Sequence, residues 1–347
     1  MKSINGGLLG MPVLKGFRTL LDAYFSLAVC ETRYPASGGE GGFRCLHKRQ
    51  SFKAIYPKVL KRIEPFLAER FQVSRFKSSR SRIRGLENST LVHEHPKVIW
   101  WCWLQRIENA PSIVRACYNS LVHGEWLKVQ GYQVNVIDAE NRKEYIELPD
   151  YIVKKWKKKQ IPPALFSDLL RLQLLIKYGG TWIDSTVLRT LDSSSKFQLS
   201  SAQKYLDADL FLFQYTPEGT TKGISISNWF ISAHSNSEVL MVLRDMLFAY
   251  WKEYNCTLDY YIFHLFFAMV AEEFPEQIAA MPYGSSQNSI ALMHHWGKPF
   301  KPEQLEKLVS FVSFHKLSHR VPKEIQNNSN NYYNFIINDL RERKRPL

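Results

Sequence analysis

The segment Phe166–Thr186, FSDLLRLQLLIKYGGTWIDST, constrains the fold of this chain more than any other. Leu165, Leu169, Leu172 and Ile176 recur at the intervals of an amphipathic helix, and Pro162-Pro163 opens it, proline being suited to a first helical turn. Gly179-Gly180 stops that helix, and Thr181–Leu188 (TWIDSTVL) continues at once as a strand. The chain around it keeps the same alternation. Pro96–Leu104 (PKVIWWCWL) is a nearly continuous apolar run, as expected of a strand covered on both faces. Asn109–Val122 has helical spacing and Tyr132–Asp138 (YQVNVID) alternates as a second strand. Leu210–Tyr215 and Ser225–Ala233 read as further strands, and Glu238–Tyr254 and Leu258–Glu273 as helices. Strand, helix, strand, helix, strand predicts an α/β fold, with a mixed, mostly parallel sheet flanked by helices. The expected organisation is a helical N-terminal extension over residues 1–92, an α/β domain over 93–322 and a basic tail over 323–347.

Charge narrows the partners without choosing among them. The 347 residues carry a formal net charge of +14, which favours a negatively charged partner: nucleic acid, anionic lipid headgroups or a phosphorylated substrate. The cations gather in Arg75–Arg84 (RFKSSRSRIR), in Lys154–Lys159 (KKWKKK) and near the C-terminus. Each reads as a solvated surface or as a patch attracted to an anionic membrane. The five cysteines are scattered and form no CxxC pair, so neither a zinc site nor a disulfide framework is indicated, and a reducing compartment fits. The apolar stretch Leu8 to Val29 is broken by Lys15, Arg18 and Asp22 and fits an amphipathic helix, either packed or lying on a membrane surface. With no secretion signal read in it, the expected location is cytoplasmic, peripheral to the inner membrane.

The chemistry is concentrated in the same central segment. Asp168 and Arg171 lie three apart on one helix face beside the apolar stripe, a spacing equally suited to a structural ion pair. Asp184 follows near the end of the next strand, and the carboxyl edge of an α/β sheet is where nucleotides and their metals bind. A hard carboxylate oxygen there suits Mg²⁺ or Mn²⁺.

Ser167-Asp168-x-x-Arg171 followed by Tyr178-Gly179-Gly180-x-Trp182-Ile183-Asp184 resembles the capsular polysaccharide synthesis protein family. That family is similar to the DXD sugar-binding transferases of glycosyltransferase family 32 and, more distantly, to the large clostridial toxins. Pro96–Leu104, Glu108-Asn109-Ala110-Pro111, Leu148-Pro149-Asp150-Tyr151, Asn228-Trp229-Phe230 and Asp259-Tyr260-Tyr261-Ile262-Phe263-His264 extend the match. The resemblance implies a GT-A type fold and a retaining transfer of sugar from a UDP- or GDP-sugar donor to a glycan or lipid-linked acceptor. It implies catalytic roles for Asp168, Arg171, Asp184 and Asn228. Trp101, Trp103, Tyr178, Gly179 and Gly180, with Asp168 and Arg171, would bind the donor. Trp229, Asp259 and His264 would bind the acceptor, and Asp184 would hold a divalent cation, Mn²⁺ or Mg²⁺. The chain departs from DXD in placing Thr186 where the second acid belongs. A hydroxyl supplies no charge, so the metal requirement is in question and a cationic side chain could partly substitute.

Two other readings compete. A nucleic-acid-binding protein would explain the charge, but the most patterned segment carries acids that repel phosphate chains, and no nucleic-acid partner is expected. A non-catalytic glycan-binding module or degenerate transferase would explain the missing acid.

Overall fold

The computed structural model describes residues 95–190, 202–215, 226–255, 257 and 260–342. The chain divides into two compact units, Met1–Thr90 with Cys256–Ile262, and Leu91–Asn255 with Phe263–Leu347. The expected N-terminal extension, the Leu8–Val29 helix, Arg75–Arg84 and Asp259 lie outside the described residues, as do residues 343–347.

Apolar runs in the second unit become strands with no solvated face. Among the described residues, β1 (Val98–Cys102), β2 (Gln133–Ile137), β3 (Gly180–Asp184), β5 (Leu210–Gln214) and β6 (Ile226–Ala233) form one sheet in the order β2-β1-β3-β6-β5. A second sheet pairs β4 (Val187–Arg189) with β7 (Phe314–Lys316). β1 runs parallel to β2 and β3, whereas β6 is antiparallel to β3 and β5, so β6 alone of the five is reversed. The fold is therefore a mixed α/β fold with a mostly parallel central sheet flanked by helices. Ile99, Trp101, Ile183, Phe211 and Phe230 are completely buried, which is why β1 and β5 read as nearly unbroken apolar text, whereas β2, with Gln133 exposed, alternates.

Among the described residues the helices of eight residues or more are α1 (Ser112–Val122), α2 (Asp150–Lys157), α3 (Pro163–Tyr178), α4 (Glu238–Glu253), α5 (Ile262–Glu273), α6 (Ser286–His294), α7 (Pro302–Ser310) and α8 (Tyr332–Glu342). α3 starts on Pro162-Pro163 and ends where Gly179, at φ 70°, donates its N–H to the Leu175 carbonyl. It packs on β1, β3 and β6 on one side and on α4 on the other. Contact on both sides buries Leu165, Phe166, Leu169, Leu170, Leu172, Leu174, Leu175 and Ile176, so the expected amphipathic helix is in fact covered nearly all round. In the lysine run, Lys155 donates to the carbonyls of Trp251 and Tyr254 at the end of α4, a favourable place for a cation.

Two expectations are corrected. The strand expected over Thr181–Leu188 is two strands: β3 ends at Asp184, Ser185 and Thr186 turn, and β4 leaves for the second sheet. The segment expected as a basic tail contains α8, which packs on α1 and buries Tyr332, Ile336 and Ile337. The i, i+4, i+5 spacing of these apolar side chains gives α8 a core-facing stripe, and that burial outweighs the polar surroundings.

Candidate active site

The strand order fixes where a site belongs. From β1 the chain crosses to β2 on one side, then returns to place β3 on the other side of β1. Loops leaving the carboxyl ends of β1 and β3 consequently diverge, the position at which α/β sheets commonly hold a ligand crevice. Asp184 is the last residue of β3 and pairs in register with Cys102, the last residue of β1.

Four elements deliver charged or polar groups to this edge. From α3, Arg171 places Nη2 3.1 Å from Asp168 Oδ1 and 3.2 Å from Asp184 Oδ1. The same Nη2 lies 3.1 Å from Ser167 Oγ, and Nη1 donates to the Asn228 carbonyl. From β6, Asn228 Nδ2 donates to Asp168 Oδ1 at 2.9 Å. From β3, the Trp182 indole N–H donates to Asp184 Oδ1 at 2.8 Å, and its ring lies 5.0 Å from the Arg171 guanidinium carbon. From β7, Lys316 Nζ lies 2.7 Å from Asp184 Oδ2 and 2.8 Å from Thr186 Oγ1. The β4–β7 register, with Val187 opposite Lys316, and the Leu317 N–H bond to the Thr186 carbonyl place that lysine.

These groups form two layers. The Asp168 and Arg171 side chains are 7% and 3% exposed, whereas those of Asp184 and Lys316 are each 23% exposed. Asp168 and Arg171 thus form a buried support, with part-exposed Asn228 bonded to Asp168, and Asp184 and Lys316 are the charged pair that solvent reaches. Burial pushes the Asp168 carboxyl up to about 7, against the pull of Arg171 and with the push of Asp184. Burial also pushes Asp184 up, but Lys316 and then Arg171 more than offset it, and the carboxyl is held below the ordinary range. Burial, followed by the field of Arg171, drives the His264 imidazole down to about 3.

The other expected site residues are placed less uniformly. Asp168, Arg171, Asp184 and Asn228 converge, and His264 lies within the field of Arg171. Trp103 is part-exposed, with its ring 5.5 Å from that of His319. Trp101 is fully buried against Tyr118, so its ring has no face for a nucleobase. Trp229 is 5% exposed and stacked on Phe213, a core position rather than an acceptor platform. Tyr178, Gly179 and Gly180 lie at the opposite, amino end of β3. Tyr178 donates its hydroxyl to the Tyr145 carbonyl, and Trp100 donates to the Gly179 carbonyl. A Cβ on Gly180 would meet the Val98 carbonyl oxygen at 2.5 Å. These glycines let α3 turn tightly into β3 and do not reach Asp184.

Sequence reasoning assigned no role to Trp182 or Lys316. Trp182 stands inside the motif, two residues before the carboxylate it holds. Lys316 lies 132 residues beyond Asp184, and its surroundings, Phe314-His315-Lys316-Leu317, carry no local signal.

The divalent cation implied by the resemblance does not fit these residues. Among the described residues no group of three or more His, Cys, Asp or Glu is arranged to hold a metal. Both oxygens of Asp184 already accept from cations, and an ammonium occupies the hydrogen-bonding position shared by Asp184 and Thr186. Mg²⁺ and Mn²⁺ need several oxygen ligands and surplus negative charge. Two cations here face two carboxylates, one of them inclined to stay protonated.

A family model described as capsular polysaccharide synthesis protein matches residues 45–336. No curated protein matches the chain. A solved structure described as PaToxG glycosyltransferase is similar at 14% identity and a TM-score of 0.33, covering 78% of this chain and 97% of that one. No described helix is long and apolar enough to cross a membrane.

Proposed function

Because this chain belongs to the capsular polysaccharide synthesis protein family, we propose that it is a glycosyltransferase. It moves the sugar of a UDP- or GDP-sugar onto a capsular or other cell-surface glycan, free or lipid-linked, on a GT-A type fold at the cytoplasmic face of the inner membrane. The observation that carries this reading is the convergence of Asp168, Arg171, Asp184, Asn228 and Lys316 on the crevice at the carboxyl ends of β1 and β3.

In this reading the sugar C1–O bond to the nucleoside diphosphate breaks with its electron pair passing to the phosphate oxygen. A lone pair on the acceptor hydroxyl oxygen forms the new C1–O bond on the same face, and its proton passes to the departing phosphate. Asp184, with about one lone-pair site left on Oδ2 after its three partners, accepts from a sugar hydroxyl. Arg171 holds it in place and is itself held by Asp168 and the Asn228 carbonyl, Asp168 and Arg171 being too deeply buried to touch substrate themselves. Trp103 and His319 form the wall against which a nucleobase packs.

The test is a panel of UDP- and GDP-sugars, read by thermal shift and then by release of free nucleotide with and without glycan acceptor. One donor should raise the melting temperature, since a ligand that binds only the folded state stabilises it. Asp184→Asn should lower the transfer rate by about 10²-fold with the fold intact, the usual scale for losing one preorganised polar group. Absence of any donor response in wild type defeats the reading, and binding without turnover makes the chain a non-catalytic module.

A further inference from the structure

The Lys316 side chain stands where a DXD metal would be needed, and its chemistry suits the same task. An ammonium carries three N–H donors. Two are taken by Asp184 Oδ2 at 2.7 Å and Thr186 Oγ1 at 2.8 Å, which leaves one on a part-exposed group at the mouth of the crevice. We propose that Lys316 is a tethered cation that binds the donor's diphosphate in place of a divalent metal, so that diphosphate recognition by this chain is metal-independent. The proposal rests on the transferase reading for its natural ligand, but it makes a claim about anion binding that can be measured without any sugar.

Three observations support it. First, Thr186 and Lys316 act as a unit: an acid at position 186 would bind the ammonium as a second salt bridge, whereas a hydroxyl holds it without cancelling its charge. Second, Lys316 is built into the fold. Its strand is hydrogen-bonded to β4, which continues from the strand that ends in Asp184, so cation and carboxylate move as one body. A charge fixed this way stabilises a developing anion without reorganising when the bond breaks. Third, the surroundings are cationic. The His319 imidazole, exposed and beside Trp103, is held below its ordinary value by partial burial and then by Arg320 and Lys316, so both cations act on the same point of the rim. Arg171 cannot serve instead, because its guanidinium is 3% exposed and already bonded to Ser167, Asp168, Asp184 and the Asn228 carbonyl.

Departure of the nucleoside diphosphate leaves the electron pair of the broken C1–O bond on a phosphate oxygen. The remaining Lys316 N–H donates to that diphosphate and no proton need be transferred from it.

The experiment uses the full chain and inorganic pyrophosphate as the probe, titrated calorimetrically in EDTA and again with Mn²⁺, alongside Mn²⁺ titrated alone. The expected result is pyrophosphate binding that EDTA leaves unchanged, weakened at least about 10-fold by Lys316→Met and largely kept by Lys316→Arg. Mn²⁺ alone should not bind stoichiometrically. Circular dichroism and the ligand-free melting temperature establish that each variant folds. The proposal is overturned if pyrophosphate binds only with Mn²⁺, or if folded Lys316→Met binds it as wild type does, which would make the lysine a structural partner of Asp184 and nothing more. Pyrophosphate binding without turnover of any sugar nucleotide would sink the transferase reading and leave the anion site standing. Turnover abolished by EDTA would do the reverse.

Discussion

Arg171 lies between two carboxylates, ion-paired to Asp168 and donating to Asp184, and with Ser167 also accepting from it its Nη2 is held in one geometry. The Trp182 ring lies beside it and the indole N–H reaches Asp184, so one aromatic side chain orients both members of the pair. Replacing Trp182 by Phe keeps a ring near the guanidinium but removes the donor. Trp182→Phe should therefore cost about 2 kcal/mol, the scale of a hydrogen bond to a charged group, read as a lower urea midpoint at unchanged slope. The acids and the arginine of this constellation were visible in the sequence because they share one helix-to-strand segment with a fixed spacing. Lys316 was not, since a lysine in the three-residue strand Phe-His-Lys carries no signal until folding brings it 2.7 Å from Asp184.

The junction between α3 and β3 shows how little freedom that segment has. Gly179 and Gly180 have φ of 70° and 89°, and the space beside Gly180 is filled by the Val98 carbonyl of the neighbouring strand. A side chain there must pay both for the left-handed backbone and for displacing β1. Gly180→Ala should destabilise the fold by at least about 2 kcal/mol, measured by chemical denaturation, although Gly180 is remote from Asp184. A loss of donor affinity with stability unchanged would instead restore these glycines to the binding site. At this scale the elements from β1 through β3 were legible, because their apolar runs and glycine or proline stops are strong local signals. The break between β3 and β4 was not: Ser185-Thr186 contains neither glycine nor proline, and TWIDSTVL has the composition of a single strand. α8 was obscured in the same way by the polar run before it, Asn327–Asn331, which masks the first turn of a helix whose later residues are core.

Across the whole molecule, buried titratable groups set how stability follows pH. Burial lowers His264 to about 3 and His315 to about 4, so both are neutral in the fold over a range where the unfolded chain protonates them. Their contribution is complete above the ordinary imidazole value and is lost as pH falls towards about 4 and about 3. Asp168, raised to about 7, works in the opposite direction: the fold favours its protonated form, and that contribution is lost as pH rises towards about 7. Among the described residues these are three imidazoles, His319 also being lowered, against one carboxyl, and they predict that the unfolding free energy rises between about pH 4.5 and 6.5. His315→Asn should flatten that rise and Asp168→Asn should steepen it, as read from urea midpoints across the range. A wild-type midpoint that falls over this interval would mean the imidazoles are charged in the fold.

The pairing of β4 with β7 also has a meaning in time. Asp184 and Lys316 are 132 residues apart, so a ribosome that has finished β3 has made the carboxylates and the arginine but not the lysine that neutralises Asp184. Until β7 emerges, Asp184 has Arg171 and Trp182 as partners but not Lys316, so the cation proposed to meet the diphosphate is among the last parts of the site to be made.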